Sequence, residues 1–163
     1  MDAQAVTREE VTRRCDAAYE GTLDGAETIL FVEDEAFVRD VTCEVLRSAG
    51  YRVLTAKNAL EAAREYAQSS GEVDLLLTDV ILPGESGRAL AGKLRWGNPG
   101  LKVLLVTGYV EEMGVRETEC EECLAKPFSS RELLRRVRQV IDCSGFRAGE
   151  EKEDEIRRAC ERG

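Results

Sequence analysis

"LLLTDVILPGESG", residues 75–87, places one acid in the middle of an apolar run. Leu75, Leu76, Leu77, Val80, Ile81 and Leu82 surround Asp79 before Pro83 and Gly84 break the pattern. The run reads as a buried strand, and an ionised carboxylate is costly to bury unless something pairs with it. Asp79 therefore either caps the turn that follows the strand or belongs to a site whose other members lie elsewhere in the chain.

Outward from this strand, short apolar runs alternate with amphipathic stretches. "TILFV" (28–32) reads as a strand, and residues 35–50 follow with Phe37, Val38, Val41, Val45 and Leu46 at helical spacing and Gly50 as the stop. "YRVLTA" (51–56) is a second strand. Residues 58–68 predict a short helix with Leu60, Ala63 and Ala67 on one side. After the third strand, "GRALAGKLRW" (87–96) is helical, residues 97–100 turn, and "LKVLLVT" (101–107) is a fourth strand. A weaker helix interrupted by Gly114 is expected between Tyr109 and Thr118. "CLA" (123–125) is a fifth strand, and Ser129 with Glu132 caps a last helix carrying Leu133, Leu134, Val137, Val140 and Ile141. Strands alternating with helices predict an α/β fold with right-handed crossovers and a parallel sheet covered on both faces. In such sheets ligands sit beyond the carboxyl ends of the strands.

Composition narrows the chemistry. The chain of 163 residues carries a net charge of −9, which argues against broad binding to nucleic acid or anionic membrane. No run of eighteen apolar residues and no charged-then-apolar leader is present, so neither a membrane span nor a secretory signal is expected, and a cytoplasmic protein is. On that expectation the six cysteines stay reduced thiols. Histidine is absent, which removes Ser-His and Cys-His catalysis, His metal ligands and phosphohistidine from what this chain can itself supply.

The strand ends then define a constellation. Strand one ends in Glu33-Asp34-Glu35, strand three in Asp79, strand four in Thr107, and strand five in Ala125-Lys126-Pro127-Phe128. Clustered carboxylates repel unless a cation or protons intervene. With oxygen ligands only, Mg²⁺ is the natural cation, and it retains several waters beside one or two carboxylates and phosphoryl oxygens. Mg²⁺, Lys126 and the Thr107 hydroxyl would each meet one oxygen of a phosphoryl group, with Asp79 available as nucleophile.

With "ILFVEDE", "LLLTDVILPGESG", "VLLVTGY" and "LAKPF" at the right strand ends and in the right order, residues 27–142 resemble the receiver domain of two-component response regulators, the CheY-like family. The wording is closest to receivers of hybrid sensor histidine kinases. The resemblance implies a (βα)5 doubly wound, flavodoxin-like sheet with strand order 2-1-3-4-5. It implies that Asp79 accepts phosphate from the phosphohistidine of a histidine kinase or phosphotransfer protein, switching contacts with a downstream protein target. Asp34 and Asp79 would ligate Mg²⁺ through their side chains and Ile81 through its backbone carbonyl, with Glu33 acting through metal-bound water. Thr107 would swing toward the phosphoryl group and Lys126 would pair with it. The family's cis peptide bond falls at Pro127.

Departures from the family pattern carry expectations of their own. Cys123 stands where the family has a switching aromatic ring, so signalling is expected through Thr107 and movement of residues 108–120. The stretch from Thr107 to Lys126 is a few residues shorter than usual, which favours a monomer or weak dimer. Ile81 and Tyr109, bulky and not acidic, flank the path of the attacking water and predict slow self-dephosphorylation. Cys120 and Cys123 form a C-x-x-C pair with no second pair in the chain, which reads as chance placement. Residues 1–26 are expected as an N-terminal extension with a short helix, where Thr7 and Glu10 have capping-box spacing. Residues 143–163 are expected as a charged helical extension, with Glu153 and Arg157 at helical offset. Two other readings stay open. An aspartyl phosphatase on the same fold class would need a second acid two residues after the nucleophile, where Ile81 stands. A receiver-like module that binds partners without phosphorylation is the remaining alternative.

Overall fold

Strands that are apolar throughout must be covered on both faces, and their period of two decides which residue goes to which side. In the computed structural model, which describes residues 22–108 and 123–143, that sorting is complete. The strands are β1 (Thr28–Val32), β2 (Arg52–Ala56), β3 (Leu75–Asp79), β4 (Lys102–Thr107) and β5 (Cys123–Ala125). The helices are α1 (Ala36–Ser48), α2 (Ala59–Gln68), α3 (Gly87–Gly97) and α4 (Ser130–Asp142). Every strand pairing is parallel, and the order is β2-β1-β3-β4-β5, as the resemblance implied.

On one face Leu30, Val32, Leu76, Val103 and Leu105 pack under Ala59 and Ala62 of α2 and Leu90, Ala91 and Leu94 of α3. On the other, Ile29, Phe31, Leu75, Leu77, Leu104 and Val106 pack under Cys43 and Leu46 of α1 and Leu133, Val137 and Val140 of α4. Each fully buried leucine contributes about 1.5–3 kcal/mol relative to exposure. The two layers on a single sheet are thus the main source of stability.

Local signals set where the helices start and stop. Asn58 Oδ1 accepts the Glu61 N–H at 2.8 Å, Ser86 Oγ accepts the Ala89 N–H at 3.2 Å, and Ser129 with Glu132 forms the expected capping box. Gly50, at φ +95°, ends α1, and any side chain there would lie 2.5 Å from the Gly25 carbonyl oxygen. Lys102 at the start of β4 donates to the Ile141 carbonyl in the last turn of α4.

Two helical faces differ from the sequence expectation. In α1, Phe37 and Val41 are exposed, Phe37 by 76%, while Thr42, Cys43 and Leu46 face the sheet. In α2, Leu60 is 64% exposed and Ala63 and Ala67 are also outside, while Ala59 and Ala62 are buried. Periodicity marks a stripe, but the cap residue and the closeness of the helix to the sheet choose which stripe goes in. The side chains beneath α2 at Ala59 and Ala62 are small, and the large Leu60 is left outside. Trp96, near the end of α3, is 92% exposed.

The expected helix between Tyr109 and Thr118, the 108–120 movement beyond Gly108, Cys120, and most of both terminal extensions lie outside the described residues. Among the cysteines described, Cys43 and Cys143 are free, whereas Cys123 is disulfide-bonded, which corrects the expectation that all six remain reduced. Pairing depends on thiols being brought within a few ångströms by the fold, and cysteine spacing alone does not report that. Among the described residues no helix is long and apolar enough to cross a membrane.

At the opposite end of the sheet from the carboxyl edge, Arg138 of α4 clasps the entry to β1. Its guanidinium donates to both Glu27 oxygens at 2.8 and 2.9 Å and to Tyr51 Oη at 3.2 Å, and it also pairs with Asp142. The Arg138 hydrogen bonds hold the Glu27 carboxyl below the usual carboxylate range. A depressed carboxyl stabilises the fold above its unfolded value of about 4.3, and that contribution is lost as pH falls through the lower folded value. Glu27→Gln is therefore expected to lower stability by about 1 kcal/mol at pH 7 and by progressively less toward pH 3, as urea unfolding at several pH values would show.

Candidate functional site

At the carboxyl edge of the sheet, β1 and β3 lie side by side, and Glu33 beyond β1 and Asp79 at the end of β3 both meet Lys126, the residue after β5. Glu33 continues β1 by one residue, its N–H donating to the Ala56 carbonyl at 3.0 Å, and its side chain is buried. Asp79 is the last residue of β3, with its side chain 14% exposed. Lys126 reaches across, its Nζ donating to Asp79 Oδ2 at 2.8 Å and to Glu33 Oε2 at 3.2 Å. The Lys126 N–H donates to the Thr107 carbonyl at 2.8 Å, and the Lys126–Pro127 peptide bond is cis. Asp79 is thus a paired acid. Its Oδ1 accepts the Ile81 N–H at 3.1 Å, so its carboxylate also organises the turn after the strand.

Of the residues singled out from sequence, the structure brings Glu33, Asp79 and Lys126 into direct contact. Asp34 is exposed at the rim, and its carboxyl is close enough to that of Glu33 to influence it. Thr107 is half-buried at the end of β4, one residue beyond Val106, the partner of Asp79 in register. Tyr109 lies outside the described residues.

The electrostatics come from this packing. Burial pushes the Glu33 carboxyl up, and Asp34 adds to the rise, while the Glu35 N–H and the Lys126 ammonium pull the other way. Burial would lower Lys126, but its bonds and charge interactions with Asp79 and Glu33 outweigh that and raise it, so the ammonium stays protonated. Two carboxylates share the one ammonium, and Asp34 beside Glu33 adds a third negative charge at the rim, which leaves room for further positive charge. Among the described residues no three acidic or thiol side chains converge into a closed cage. A divalent ion there would meet at most two carboxylates and complete its shell with other oxygens and water, a donor set that suits Mg²⁺, which binds by one or two carboxylates and dehydrates reluctantly.

Three supports of this site were not singled out from the sequence. Thr78, fully buried, donates its hydroxyl to the Asp79 carbonyl at 3.0 Å. Arg39 of α1 donates to the Glu33 carbonyl at 2.8 Å. Gly87, the first residue of α3, lies so close that a Cβ there would fall 2.0 Å from the Asp79 carbonyl oxygen. The glycine beside the Ser86 cap was the one visible signal among them. Gly87→Ala is expected to destabilise the protein by about 2 kcal/mol through forced displacement of α3 or of the Asp79 backbone, measurable by chemical denaturation.

Comparison with known proteins agrees with this fold. The sequence matches the response regulator receiver domain family over residues 29–138. The sensor kinase CckA of Brucella abortus (strain 2308) is 35% identical over 123 residues, a region that covers 74% of this chain but only 13% of that kinase. The crystal structure of the receiver domain from the hybrid histidine kinase CckA is 39% identical, covering 71% of this chain and 99% of that one with a TM-score of 0.60. The response regulator TrrA of Thermotoga maritima, solved in complex with Mg²⁺ and a beryllium fluoride, is 32% identical, covering 70% of this chain and 98% of that one with a TM-score of 0.61. With the fold, the strand order and this match over most of the chain in agreement, the chain belongs to the response regulator receiver domain family of two-component signalling.

Proposed function

We propose that Asp79 is the phosphoacceptor, receiving a phosphoryl group from the phosphohistidine of a histidine kinase or phosphotransfer protein. The observation that carries the reading is the Lys126 ammonium, 2.8 Å from Asp79 and tied to Glu33, which puts a positive charge beside the one acid at the end of the central strand β3. An Asp79 carboxylate oxygen attacks phosphorus in line with the phosphorus–nitrogen bond of the donor. That bond breaks, the imidazole leaves with the electron pair and takes up a proton, and an acyl phosphate remains on Asp79. Lys126 moves its ammonium from the carboxylate to a phosphoryl oxygen, and the Thr107 hydroxyl donates to another. The Ile81 N–H holds the aspartate in position for attack.

Asp34 and Asp79 side chains, the Ile81 carbonyl and, through water, Glu33 would hold Mg²⁺, which when bound neutralises charge on the phosphoryl oxygens. The Mg²⁺–beryllium fluoride complex of TrrA supports that assignment by family likeness. The acyl phosphate adds about −1.5 to −2 charges at the carboxyl edge, enough to shift a two-state surface toward a downstream protein partner. On this reading the chain catalyses only its own phosphorylation and dephosphorylation.

Incubation with acetyl phosphate and Mg²⁺ is expected to add one phosphoryl group to the wild-type chain and none to Asp79→Ala, read by intact-mass spectrometry. A folded wild-type protein that stays unmodified would overturn the reading. Exposed Ile81 at the lip shields the acyl phosphate from water, so the adduct is expected to survive for minutes or longer after removal of the donor; decay within seconds would count against that shielding.

A further inference from the structure

The turn from β1 into α1 is short and carries three acids in a row, Glu33, Asp34 and Glu35. Its helix start receives no help from the usual capping side chain, because Glu35 stands at the cap and makes no side-chain bond there. Glu33 instead folds back, Oε1 accepting the Glu35 N–H at 3.2 Å, which sets its carboxyl near that of Asp34. Two like charges so placed push the turn open. One side chain of α1 opposes this. Arg39, one turn into the helix and half-buried, directs Nη1 to the Glu33 carbonyl at 2.8 Å.

The acceptor that Arg39 uses matters more than its charge. A guanidinium beside carboxylates ordinarily takes a carboxylate in a two-pronged bond. Here it takes a backbone oxygen, so the turn is pinned and partly neutralised without the guanidinium occupying a carboxylate oxygen. Lys126 does the reverse, occupying Glu33 Oε2 and Asp79 Oδ2 directly.

We propose that Arg39 is a positioning residue for divalent-cation binding, holding the Glu33–Glu35 turn by its backbone so that Asp34 faces the cation without being consumed by an ion pair with the guanidinium. The inference rests on the proposed Mg²⁺ site and goes beyond it by assigning a residue that touches neither the cation nor the phosphoryl group. Charge and position make opposite demands, which makes the assignment testable. If Arg39 acted only as a nearby positive charge, its removal would tighten Mg²⁺ binding by lifting repulsion. If it positions the turn, removal weakens binding.

Calorimetric titration of the intact chain with MgCl₂ decides between them, using Arg39→Met, which keeps the aliphatic stem and its packing while removing every donor. Binding about fivefold weaker than wild type is expected, the net worth of about one hydrogen bond. Arg39→Lys, which returns a cationic donor, is expected to recover part of that loss. Acetyl phosphate labelling of Arg39→Met is expected to be slow at low Mg²⁺ and to approach the wild-type rate at saturating Mg²⁺, whereas a general loss of structure would depress it at both. Arg39→Met that binds Mg²⁺ as tightly as wild type, or more tightly, overturns the proposal. If Arg39→Met does not fold, Arg39→Gln, which replaces the guanidinium by a shorter, uncharged amide, is read against wild type by the same criterion. A folded wild-type chain that binds no Mg²⁺ is a different failure, because it removes the Mg²⁺ site itself and with it the role assigned to Arg39.

Discussion

An ammonium held between two carboxylates organises the carboxyl edge of this sheet. Through Nζ, Lys126 touches Glu33 after β1 and Asp79 at the end of β3, and through its backbone N–H it is anchored to Thr107 at the end of β4. One residue thereby ties together the ends of three strands. Burying such ions costs several kcal/mol apiece before their attraction is counted, so the triad adds little net stability. Its effect is to hold two acids in one place beside a cation that can change partner. An apolar trio of the same volume would hold the strands at least as well, yet offer nothing to a phosphoryl group.

Topology explains why these residues meet. The chain leaves β1 toward β2 on one side and returns past β1 to β3 on the other, so β1 and β3 become neighbours from which successive connections diverge. A crevice opens where connections diverge, and the carboxyl ends of β1 and β3 form its floor. Gly87 and Thr78 then fix the Asp79 main chain from below and behind, the first by permitting α3 to approach and the second by a hydroxyl bond. Arg39 fixes the other wall. The main chain of both acids is thus held by contacts that do not use their carboxylate oxygens, which Lys126 and the Glu35 and Ile81 N–H groups engage instead.

Much of this was legible in the sequence, and the limits have physical causes. Strand ends are marked by the passage from apolar to charged residues, so Glu33, Asp79, Thr107 and Lys126 could be assigned to one edge on pattern alone. Helix faces were harder. Phe37, Val41 and Leu60 carry the strongest apolar signal of α1 and α2 and are exposed, while Thr42, Ala59 and Ala62 go inward. Large apolar side chains were read as buried, whereas the inward positions of these two helices include the small or polar Thr42, Cys43, Ala59 and Ala62 beside the large Leu46. Arg39 and Thr78 escaped notice because both bond to main-chain oxygens, which look the same at every position of a sequence. The Cys123 disulfide escaped for a related reason, since pairing is a property of distance in the fold.

Trp96 has a practical meaning for anyone following this protein in solution. It is the sole tryptophan in the chain and stands 92% exposed near the end of α3 farthest from Asp79. Its indole already senses water in the native state, so its emission colour changes little when the chain unfolds or when charge is added at the far edge of the sheet. Optical work on the molecule is better served by tyrosine, of which Tyr51 is buried against Arg138, or by backbone dichroism. The indole is instead a convenient beacon for whatever settles on the outer surface of α3.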